Sequence, residues 1–311
     1  MTISIVITNY NGLQLLQQNL PRVLKECQKA GDLCKEIIIV DDASTDGSSS
    51  WLSHFAKRHR GAPAISILEQ KKNQGFAAAI NYGVTHATGD VVLLLNSDVY
   101  PNSGFIKAAL PHFTNQAIFA VGCMDKSVEK TGVVLRGRGE MYWKEGMVLH
   151  RRGEVDNTST DWVSGGSGFF RRDLFLKLGG FDTLFSPYYW EDIDLSYRAR
   201  KAGYTLVFEQ NSVVVHEHEK GSIKQVADES QIRIVSYRNQ LLFLWKNVTD
   251  KKLLIAHIVW LPIHIVRSVT GGDWAFISGF IQAIFLYGQV QKKREQNRSL
   301  FTVPDRELLE V

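Results

Sequence analysis

Residues 72–99 read KNQGFAAAINYGVTHATGDVVLLLNSDV, and this stretch decides the predicted fold. Its first half, residues 76–87, has the apolar spacing of a helix. Its second half, residues 90–95, is a short, continuously apolar run that ends at Asn96-Ser97-Asp98, as expected for a strand buried on both faces. A helix that leads directly into a buried strand is typical of a parallel sheet covered by helices.

The sequence on the N-terminal side repeats this alternation. Strand-like apolar runs occupy residues 3–8, 36–40 and 64–68, and helical periodicity occupies residues 13–30 and 48–59. Short apolar strands separated by longer helices predict an α/β, doubly wound fold with a mostly parallel central sheet and helices on both faces.

Composition excludes several classes of protein. The 311-residue chain is 44% hydrophobic and 22% charged, so it can bury a core and is not a disordered chain, a collagen or a small disulfide-stabilised protein. The net charge of +4 is too close to balance to indicate nucleic acid, and no nucleic-acid partner is expected. Residues 231–311 carry +5 and residues 1–230 carry −1, so the basic surplus is C-terminal.

Cysteine spacing and apolar segments predict a cytoplasmic protein. Cys27, Cys34 and Cys123 are an odd number without a CxxC pair, so reduced thiols are expected. The N-terminus lacks a basic segment followed by an apolar one, so no signal peptide is expected. The best candidate for a membrane span, residues 253–266, is short and contains two histidines and a proline, so no transmembrane helix is expected.

Polar residues follow three of the predicted strands. They are Thr8, Asn9, Asp41, Asp42 and residues 96–98. Ligands of parallel α/β sheets bind at the carboxyl ends of the strands, so these side chains predict one crevice for a polar, phosphorylated ligand. The alternative is that each residue only caps a helix or forms a turn.

The sequence contains neither of the common glycine-rich phosphate loops, GxGxxG and GxxxxGK(S/T). This argues against Rossmann dehydrogenases and P-loop kinases. A diphosphate can instead be neutralised by a divalent cation held by carboxylates, and Asp98 at the tip of a buried strand is the best candidate ligand. Oxygen ligands indicate Mg or Mn rather than Zn.

Five segments together resemble the successive motifs of family 2 glycosyltransferases, most closely the bacterial rhamnosyltransferase-like branch. They are TNYNG (8–12), VDDASTDGS (40–48), the stretch 72–99 quoted above, GGSGFFRRDLFLKLGGFD (165–182) and WEDIDLSYRARKAGY (190–204). The resemblance covers residues 1–222. It implies a GT-A fold, a nucleotide-sugar donor, a divalent cation (Mg or Mn), and sugar transfer with inversion at the anomeric carbon.

The resemblance implies a nucleotide site at the first two strand ends. Asp42 is expected to accept a hydrogen bond from the base, with Asp41, Thr8 and Asn9 beside it. The other residues expected to support the nucleotide are Asn73, Gly75, Asn81 and Asn96. For Gly75 the alternative is that it only opens the following helix.

The family's DxD motif corresponds here to residues 96–98, in which Asn96 replaces the first acid. One carboxylate instead of two is expected to weaken metal binding. Asp98 is expected to be the main ligand, and Asn96 to contact either the ribose or the groups that bind the metal. His216 is expected to contact the metal or the diphosphate, with His218 as the alternative. Zinc is not expected, because no third His or Cys lies nearby.

Acids at residues 191–194 open a predicted helix. By resemblance, Asp192 is the base that takes the proton of the acceptor hydroxyl, with Glu191 as second choice. Neighbouring acids on a helix point in different directions, so only one is expected to face the sugar. The alternative is ordinary capping by acids at a helix N-terminus.

Two further features are expected near the donor sugar and the acceptor. By resemblance, the loop containing Gly165, Gly166 and Ser167 lies beside them, because glycine allows a close approach of the backbone. Trp190, preceded by Tyr189, is a candidate for stacking on a sugar ring, with core packing as the equal alternative.

The C-terminal region contains apolar helical stretches with basic ends. Its tryptophans and cations suit a membrane surface, so membrane contact through residues 231–298 is expected. The alternatives are packing of these helices on the catalytic domain or on a second copy in an oligomer.

These observations predict a GT-A catalytic domain over residues 1–230, with a nucleotide-binding half over 1–100 and an acceptor half over 101–230, followed by a helical region over 231–311. The leading hypothesis is an inverting, metal-dependent glycosyltransferase that moves a sugar, with rhamnose as a candidate, to a glycan or lipid-linked acceptor in cell-surface polysaccharide synthesis. It would lie in the cytoplasm, peripheral to the inner face of the membrane. The alternatives are a sugar nucleotidyltransferase, whose basic glycine-rich loop is missing here, and a noncatalytic scaffold of polysaccharide assembly.

Overall fold

The computed structural model describes residues 1–129, 132–216 and 228–310. Its helices are α1 (Leu13–Ala30), α2 (Ser48–Arg58), α3 (Phe76–His86), α4 (Phe105–Ala109), α5 (Arg172–Lys177), α6 (Glu191–Lys201), α7 (Glu229–Asn247), α8 (Lys251–Gly271), α9 (Trp274–Arg298) and α10 (Asp305–Leu308). Its strands are β1 (Ile3–Asn9), β2 (Cys34–Asp41), β3 (Ala64–Glu69), β4 (Val91–Asn96), β5 (Val99–Pro101), β6 (Ile118–Glu129), β7 (Gly132–Arg136), β8 (Gly139–Lys144), β9 (Met147–Arg152), β10 (Phe169–Arg171) and β11 (Thr205–His216). The alternation predicted for residues 1–100 is confirmed.

Within the described residues, nine strands form one sheet in the order β3-β2-β1-β4-β10-β6-β11-β5, and β7 pairs with β6 beside this path. The pairs from β3 to β4 are parallel, as predicted. Beyond β4 the sheet is mixed, because β10 runs antiparallel to both β4 and β6. β8 and β9 form a separate antiparallel hairpin.

The parallel strands are buried on both faces because each face has its own helical layer. On one face, Ile5 and Ile7 pack with residues of α1 and α2. On the other, Val6 packs with residues of α3 and α5. Gly83 lets α3 lie directly on Val6, where a Cβ atom would overlap the valine side chain. This two-sided burial explains the continuous apolar runs in the sequence.

The predicted C-terminal helical region is confirmed, and it packs on α6. One apolar cluster joins Tyr197 of α6, Phe243 of α7 and Val148 of β9. Lys246 of α7 is fully buried and forms ion pairs with Asp182 (2.6 Å) and Asp194 (2.8 Å). The proposed domain boundary at residue 230 stays a prediction.

The prediction of three reduced thiols is wrong for two of the cysteines. Cys27, near the end of α1, and Cys34, at the start of β2, form a disulfide with their Cα atoms 5.3 Å apart. The short turn at residues 31–33 brings these two elements together, and a search for CxxC spacing does not detect such a pair. Cys123 is a free thiol in β6, and burial raises its pKa.

Candidate active site

The parallel register brings the polar strand ends together at one edge of the sheet. Asn9 at the end of β1 lies opposite Asp41 of β2, and Thr8 lies opposite Asn96 of β4. Asp98 follows Asn96 by two residues and is 7% exposed. The carboxyl ends of the strands therefore form one polar edge, where ligands of such sheets bind.

Asp41 and Asn9 form a buried pair that fixes the loops after β1 and β2. Asp41 Oδ1 accepts hydrogen bonds from Asn9 Nδ2 (2.8 Å) and Ser44 Oγ (2.6 Å). Asp41 Oδ2 accepts the backbone N–H of Ser44 (3.1 Å). Asn9 Oδ1 is buried and has no hydrogen-bond partner within the described ranges. The Asp41 carboxylate is thus used by hydrogen bonds to Asn9 and Ser44, whereas Asn9 Oδ1 can still accept a hydrogen bond.

Asp42 connects the end of β2 to the loop before α3. Its two carboxylate oxygens accept the backbone N–H groups of Gln74 and Gly75, each at 2.8 Å. Burial raises the pKa of Asp42, the two hydrogen bonds oppose this rise, and the charge of Asp41 adds to it. Gly75 has φ +86°, a backbone conformation that favours glycine. Each carboxylate oxygen keeps a second lone pair, so Asp42 can still accept a hydrogen bond from a ligand.

The remaining predicted nucleotide residues differ in accessibility. Asn73 is exposed and Thr8 is half-buried. Asn81 is used within the protein: its Nδ2 donates to the carbonyl of Phe181 (2.7 Å), and its Oδ1 accepts the N–H of Phe181 (2.9 Å). Because this pair ties α3 to the chain after α5, the structure gives Asn81 a structural role and no support for a nucleotide contact.

Asp98, His216 and Asp125 form a line of hydrogen-bonded side chains. His216 Nε2 lies 3.2 Å from Asp98 Oδ2, and His216 Nδ1 lies 3.0 Å from Asp125 Oδ2. Burial lowers the pKa of His216, but the hydrogen bonds and charges of the two carboxylates outweigh it and raise the pKa to about 9. The structure therefore brings Asp98 and His216 together, while His218 lies outside the described residues.

Asp125 was missed by sequence reasoning. It lies in β6, opposite Val214 of the neighbouring strand β11, and no local motif marks it. Only the pairing of two strands far apart in the chain places it beside His216.

The donor atoms at this point fit a hard divalent cation. Asp98 Oδ1 is buried and has no hydrogen-bond partner among the residues that the structure describes, so it is an available ligand atom. Within those residues, no three His, Cys, Asp or Glu side chains form a complete metal site. A cation held by Asp98 and His216 would take further oxygen ligands from a diphosphate, as Mg²⁺ commonly does. The imidazole would have to lose its proton to bind.

The acids at the start of α6 have different surroundings. Asp192 Oδ2 accepts the N–H of Gly165 (3.2 Å), and its Oδ1 accepts the N–H of Ile193 (2.8 Å). Burial raises the pKa of Asp192. Burial, reinforced by the charge of Asp192, raises the pKa of Glu191 to about 8. Asp194 is fully buried and faces the cations of the core.

The loop that contains Gly165 and Gly166 is hydrogen-bonded to the end of β4 on one side and to the start of α6 on the other. The N–H of Asn96 donates to the carbonyl of Gly166 (3.0 Å), while Gly165 donates to Asp192. A Cβ atom on Gly166 would lie 2.7 Å from the Asn96 side-chain nitrogen, so any other residue here would displace the Asn96 side chain. Ser167 is 5% exposed, about as buried as Asp42 and Asp98, and its predicted contact with the sugar stays a prediction.

The aromatic pair before α6 divides between core and surface. Trp190 is 3% exposed, and its ring centroid lies 5.1 Å from that of Phe243, which favours core packing over stacking on a sugar. Tyr189 is 41% exposed and is the ring of this pair that is open to solvent. Both residues have positive φ, 68° for Tyr189 and 79° for Trp190, a strained conformation for side chains other than glycine.

Asn239 of α7 holds this strained segment and was also missed by sequence reasoning. It is fully buried, and the two N–H groups of its Nδ2 are shared among three carbonyls within hydrogen-bonding distance, those of Phe185 (2.7 Å), Tyr188 (3.0 Å) and Tyr189 (2.9 Å). The only local signal was an amide beside an apolar run. The C-terminal helices thus support the segment that leads to Asp192.

Short contacts connect the three parts of the chain that carry Asp42, Asp98 and Asp192. The loop held by Asp42 continues into Phe76, whose ring lies 3.3 Å from an ideal Cβ position on Gly165. Gly165 contacts Asp192, and the next residue contacts the strand end that leads to Asp98. The structure therefore places the three regions around the same edge of the sheet.

The chain matches a protein-family model over residues 4–179, and that family is Glycosyl transferase family 2. A pre-mycofactocin glycosyltransferase of Mycobacterium tuberculosis (strain CDC 1551 / Oshkosh) is 30% identical over 189 residues, which is 58% of this chain and 37% of that protein. An undecaprenyl-phosphate 4-deoxy-4-formamido-L-arabinose transferase of Sodalis glossinidius (strain morsitans) is 35% identical over 97 residues, 31% of this chain and 29% of that protein. The chain thus spans about a third of the length of these relatives.

A solved structure, that of GalNAc-T7 with UDP, GalNAc and Mn²⁺, superimposes with a TM-score of 0.64 at 18% sequence identity. The superposition covers 81% of this chain and 48% of the GalNAc-T7 chain. At this level of identity the likeness shows the fold, which is GT-A.

Proposed function

This chain belongs to glycosyl transferase family 2, and we propose that it transfers a sugar from a nucleoside diphosphate sugar to an acceptor hydroxyl, with inversion at the anomeric carbon. The observation that carries the proposal is the position of the Gly165–Gly166 backbone, which contacts Asn96 on one side and Asp192 on the other. A ligand at this loop would lie between the nucleotide end of the sheet and the expected base.

The nucleotide would lie at the ends of β1, β2 and β4. Asp42 would accept an N–H of the base through a remaining lone pair. Asn9 Oδ1, buried without a partner in the described part of the chain, supports a nearby donor group on the ligand. Asp41 would keep the loop after β2 in place through Ser44.

Asp98 and His216 would hold the divalent cation, Mg or Mn, and Asp125 would orient the imidazole through Nδ1. When bound, the cation would supply positive charge to the diphosphate leaving group. The Mn²⁺ in the GalNAc-T7 structure supports a divalent cation in an enzyme of this fold.

Asp192 would act as the base. As the acceptor oxygen forms a bond to the anomeric carbon, the bond from that carbon to the diphosphate oxygen breaks, and the acceptor proton passes to the Asp192 carboxylate. A raised pKa makes this carboxylate a stronger base. Glu191, with a pKa of about 8, would be mostly protonated at neutral pH and would not repel the charge on Asp192.

The proposed acceptor is a glycan or a lipid-linked hydroxyl in surface polysaccharide synthesis, with rhamnose as a candidate sugar. The name of the undecaprenyl-phosphate transferase that resembles this chain supports a lipid-linked acceptor. Because such an acceptor is embedded in a membrane, the protein would work at the cytoplasmic membrane surface.

The test is to incubate the purified full chain with a panel of nucleotide sugars and Mn²⁺, and to identify the nucleotide product. Release of nucleoside diphosphate from one donor is expected, and Asp192→Asn should reduce it by roughly 100-fold or more. Asp173→Asn, an exposed acid on α5, is the matched control and should leave it unchanged. Release of pyrophosphate would instead indicate a nucleotidyltransferase, and no turnover of any donor would favour a scaffold.

A further inference from the structure

The last long helices, α8 and α9, expose apolar side chains on the side away from the catalytic domain. On α8 these residues, each at least 38% exposed, are Ile255, Ile258, Val259, Ile263, Val266 and Val269. On α9 they are Trp274, Ile281, Ile284, Phe285 and Tyr287, with Phe285 84% exposed. We call these residues the outer face. Soluble monomers seldom leave apolar surface of this extent open to water, so the outer face indicates an interaction site.

The two histidines of α8 point the opposite way, into the protein. His257 Nδ1 donates to the carbonyl of Gly146 (2.8 Å), and His257 Nε2 accepts from Trp245 Nε1 (2.9 Å), which together fix a neutral imidazole. His264 Nε2 lies 2.7 Å from the carbonyl of Glu145. The usual arrangement of a surface helix is therefore inverted, with polar groups toward the protein and aliphatic groups toward solvent.

Exposed lysines border the outer face, and Glu295 near the end of α9 pairs with Arg298 (3.9 Å). Lys251 and Lys252 lie exposed at the start of α8, and Lys292 lies exposed near the end of α9, none of them with an ion pair within the described residues. Residues 251–272 contain no Asp or Glu. Asp273, between the helices, is occupied by Arg233 (3.0 Å) and by the hydroxyl of Tyr237 (2.9 Å).

We propose that the outer face sits in the headgroup and upper acyl region of an anionic lipid bilayer, with α8 lying in the plane of the membrane. An apolar face bordered by lysines is complementary to anionic headgroups above hydrocarbon. This inference rests on the membrane location proposed above, but it does not depend on the transfer reaction. It identifies the surface that would bring the active site to a lipid-linked acceptor.

Among the described residues, α8 is the one helix long and apolar enough to cross a membrane, with 21 residues and a mean hydropathy of 1.6. Crossing would require it to leave the β8–β9 turn and carry two imidazoles and a guanidinium into hydrocarbon, which is costly. In the structure these groups are bound to the turn, and Arg267 also pairs with the Glu145 carboxylate (2.8 Å). The contacts of α8 thus favour lying on the membrane over crossing it.

The experiment is flotation of the full chain, without donor or acceptor, with phosphatidylcholine vesicles that contain or lack phosphatidylglycerol. The wild type should float with the anionic vesicles. The double variant Ile258→Glu with Val266→Glu should bind them at least ~10-fold more weakly, because charge on this face opposes insertion. Leu176→Glu, on a half-exposed aliphatic residue of α5, is the matched control and should float like the wild type. All variants should keep the wild-type melting temperature.

Several outcomes would overturn the proposal. These are a wild type that floats with neither vesicle, a double variant that floats as well as the wild type, or resistance of the bound protein to alkaline extraction, which would indicate a spanning helix. A dimer in sedimentation velocity that the same double variant dissociates, with no flotation, would assign the face to a second copy. Vesicle binding and sugar transfer are measured separately, so failure of one does not obscure the other.

Discussion

At the scale of single residues, burial controls the charge of the acids at the start of α6. Asp192 keeps two backbone N–H donors, which favour its ionised form, whereas Glu191 is 7% exposed next to the charge of Asp192. Two adjacent carboxylates are thus held in different environments, as expected of a pair in which one is the base and the other stays protonated.

Glu191→Gln should make the protein more stable at alkaline pH. The folded-state pKa of about 8 lies above the ordinary value of 4.5, so between these values the folded chain holds a proton that the unfolded chain has released. The contribution of Glu191 to stability is complete below its ordinary pKa and is lost as pH rises through about 8. The neutral glutamine avoids this loss, so the advantage of the variant should grow by about 1–3 kcal/mol between pH 5 and pH 8.

Urea unfolding at the two pH values measures this difference. Glu154→Gln, at an exposed position in the loop after β9, is the matched control. An advantage that is equal at both pH values would contradict the raised pKa of Glu191.

Asp125→Asn should weaken Mn²⁺ binding by about 10–100-fold, because loss of a carboxylate that orients a metal-binding imidazole typically has this effect. The measurement is the Mn²⁺ concentration that gives half-maximal donor binding. Asp90→Asn, an exposed acid before β4, serves as the control. Unchanged Mn²⁺ dependence in Asp125→Asn would show that the line from Asp98 to Asp125 has no part in metal binding.

The sequence could predict single residues where a motif names them. Asp98 and Asp192 both lie in motifs. The position of Asp98 after a buried strand is a second, independent reason to expect it at the site. Asp125 and Asn239 could not be predicted, because each acquires its partner only when elements distant in the chain pack together. Asn81 shows the reverse, since a residue inside a motif is used as a tie between elements.

At the scale of elements, α7 supports α6, the helix of the proposed base, in two places. Asn239 holds the strained segment before α6, and Lys246 pairs with Asp194 within α6. Both contacts reach the chain within three residues of Asp192, at Tyr189 and at Asp194. The helical region therefore fixes the segment that contains the proposed base.

Asn239→Leu should lower kcat by about 10–100-fold while donor affinity changes little, because a small shift of a catalytic group has effects of this size. The three carbonyls would lose their donor, and Tyr189 and Trp190 could relax from positive φ. Steady-state kinetics with the identified donor measures kcat and KM separately and so distinguishes the two effects.

The matched control is Gln240→Leu, which removes a hydrogen bond from the next residue to the carbonyl of Val148 (2.8 Å). A purely structural role for Asn239 would appear as lower stability with an unchanged kcat in the folded fraction.

Lys246→Met should destabilise the fold by about 3–5 kcal/mol, because two buried carboxylates would lose a shared cation and keep only Arg198 and Lys293 as counter-charges. Asp182 and Asp194 would both lose their fully buried cation. Chemical denaturation measures the loss, with the exposed Lys57→Met on α2 as the control. A loss below about 1 kcal/mol would contradict the role assigned to this pair.

Elements with a local signal were predictable. The apolar runs and helical periodicities of residues 1–100 gave the strands and helices close to their observed bounds. The mixed half of the sheet was not predictable, because β10 is three residues long and its place between β4 and β6 depends on long-range pairing. The disulfide depends in the same way on two element ends that meet in space.

At the scale of the whole molecule, one chain combines a polar sheet edge with an apolar outer face. The sequence showed apolar helices with basic ends, but periodicity alone does not tell which face meets the protein. The contacts of His257 and His264 with the β8–β9 turn decide it, and they turn the aliphatic face outward.

The central claim is that the regions of Asp42, Asp98 and Asp192 serve one nucleotide sugar. The most direct measurement is calorimetric titration of the identified donor, with and without Mn²⁺, into wild type and the three Asp→Asn variants, followed by turnover of each. Asp42→Asn should weaken donor binding by roughly 10-fold or more. Asp98→Asn should abolish the increase in donor affinity that Mn²⁺ gives the wild type. Asp192→Asn should bind donor like the wild type but release nucleoside diphosphate more slowly, by roughly 100-fold or more. Three variants that bind and turn over the donor like the wild type would contradict the claim.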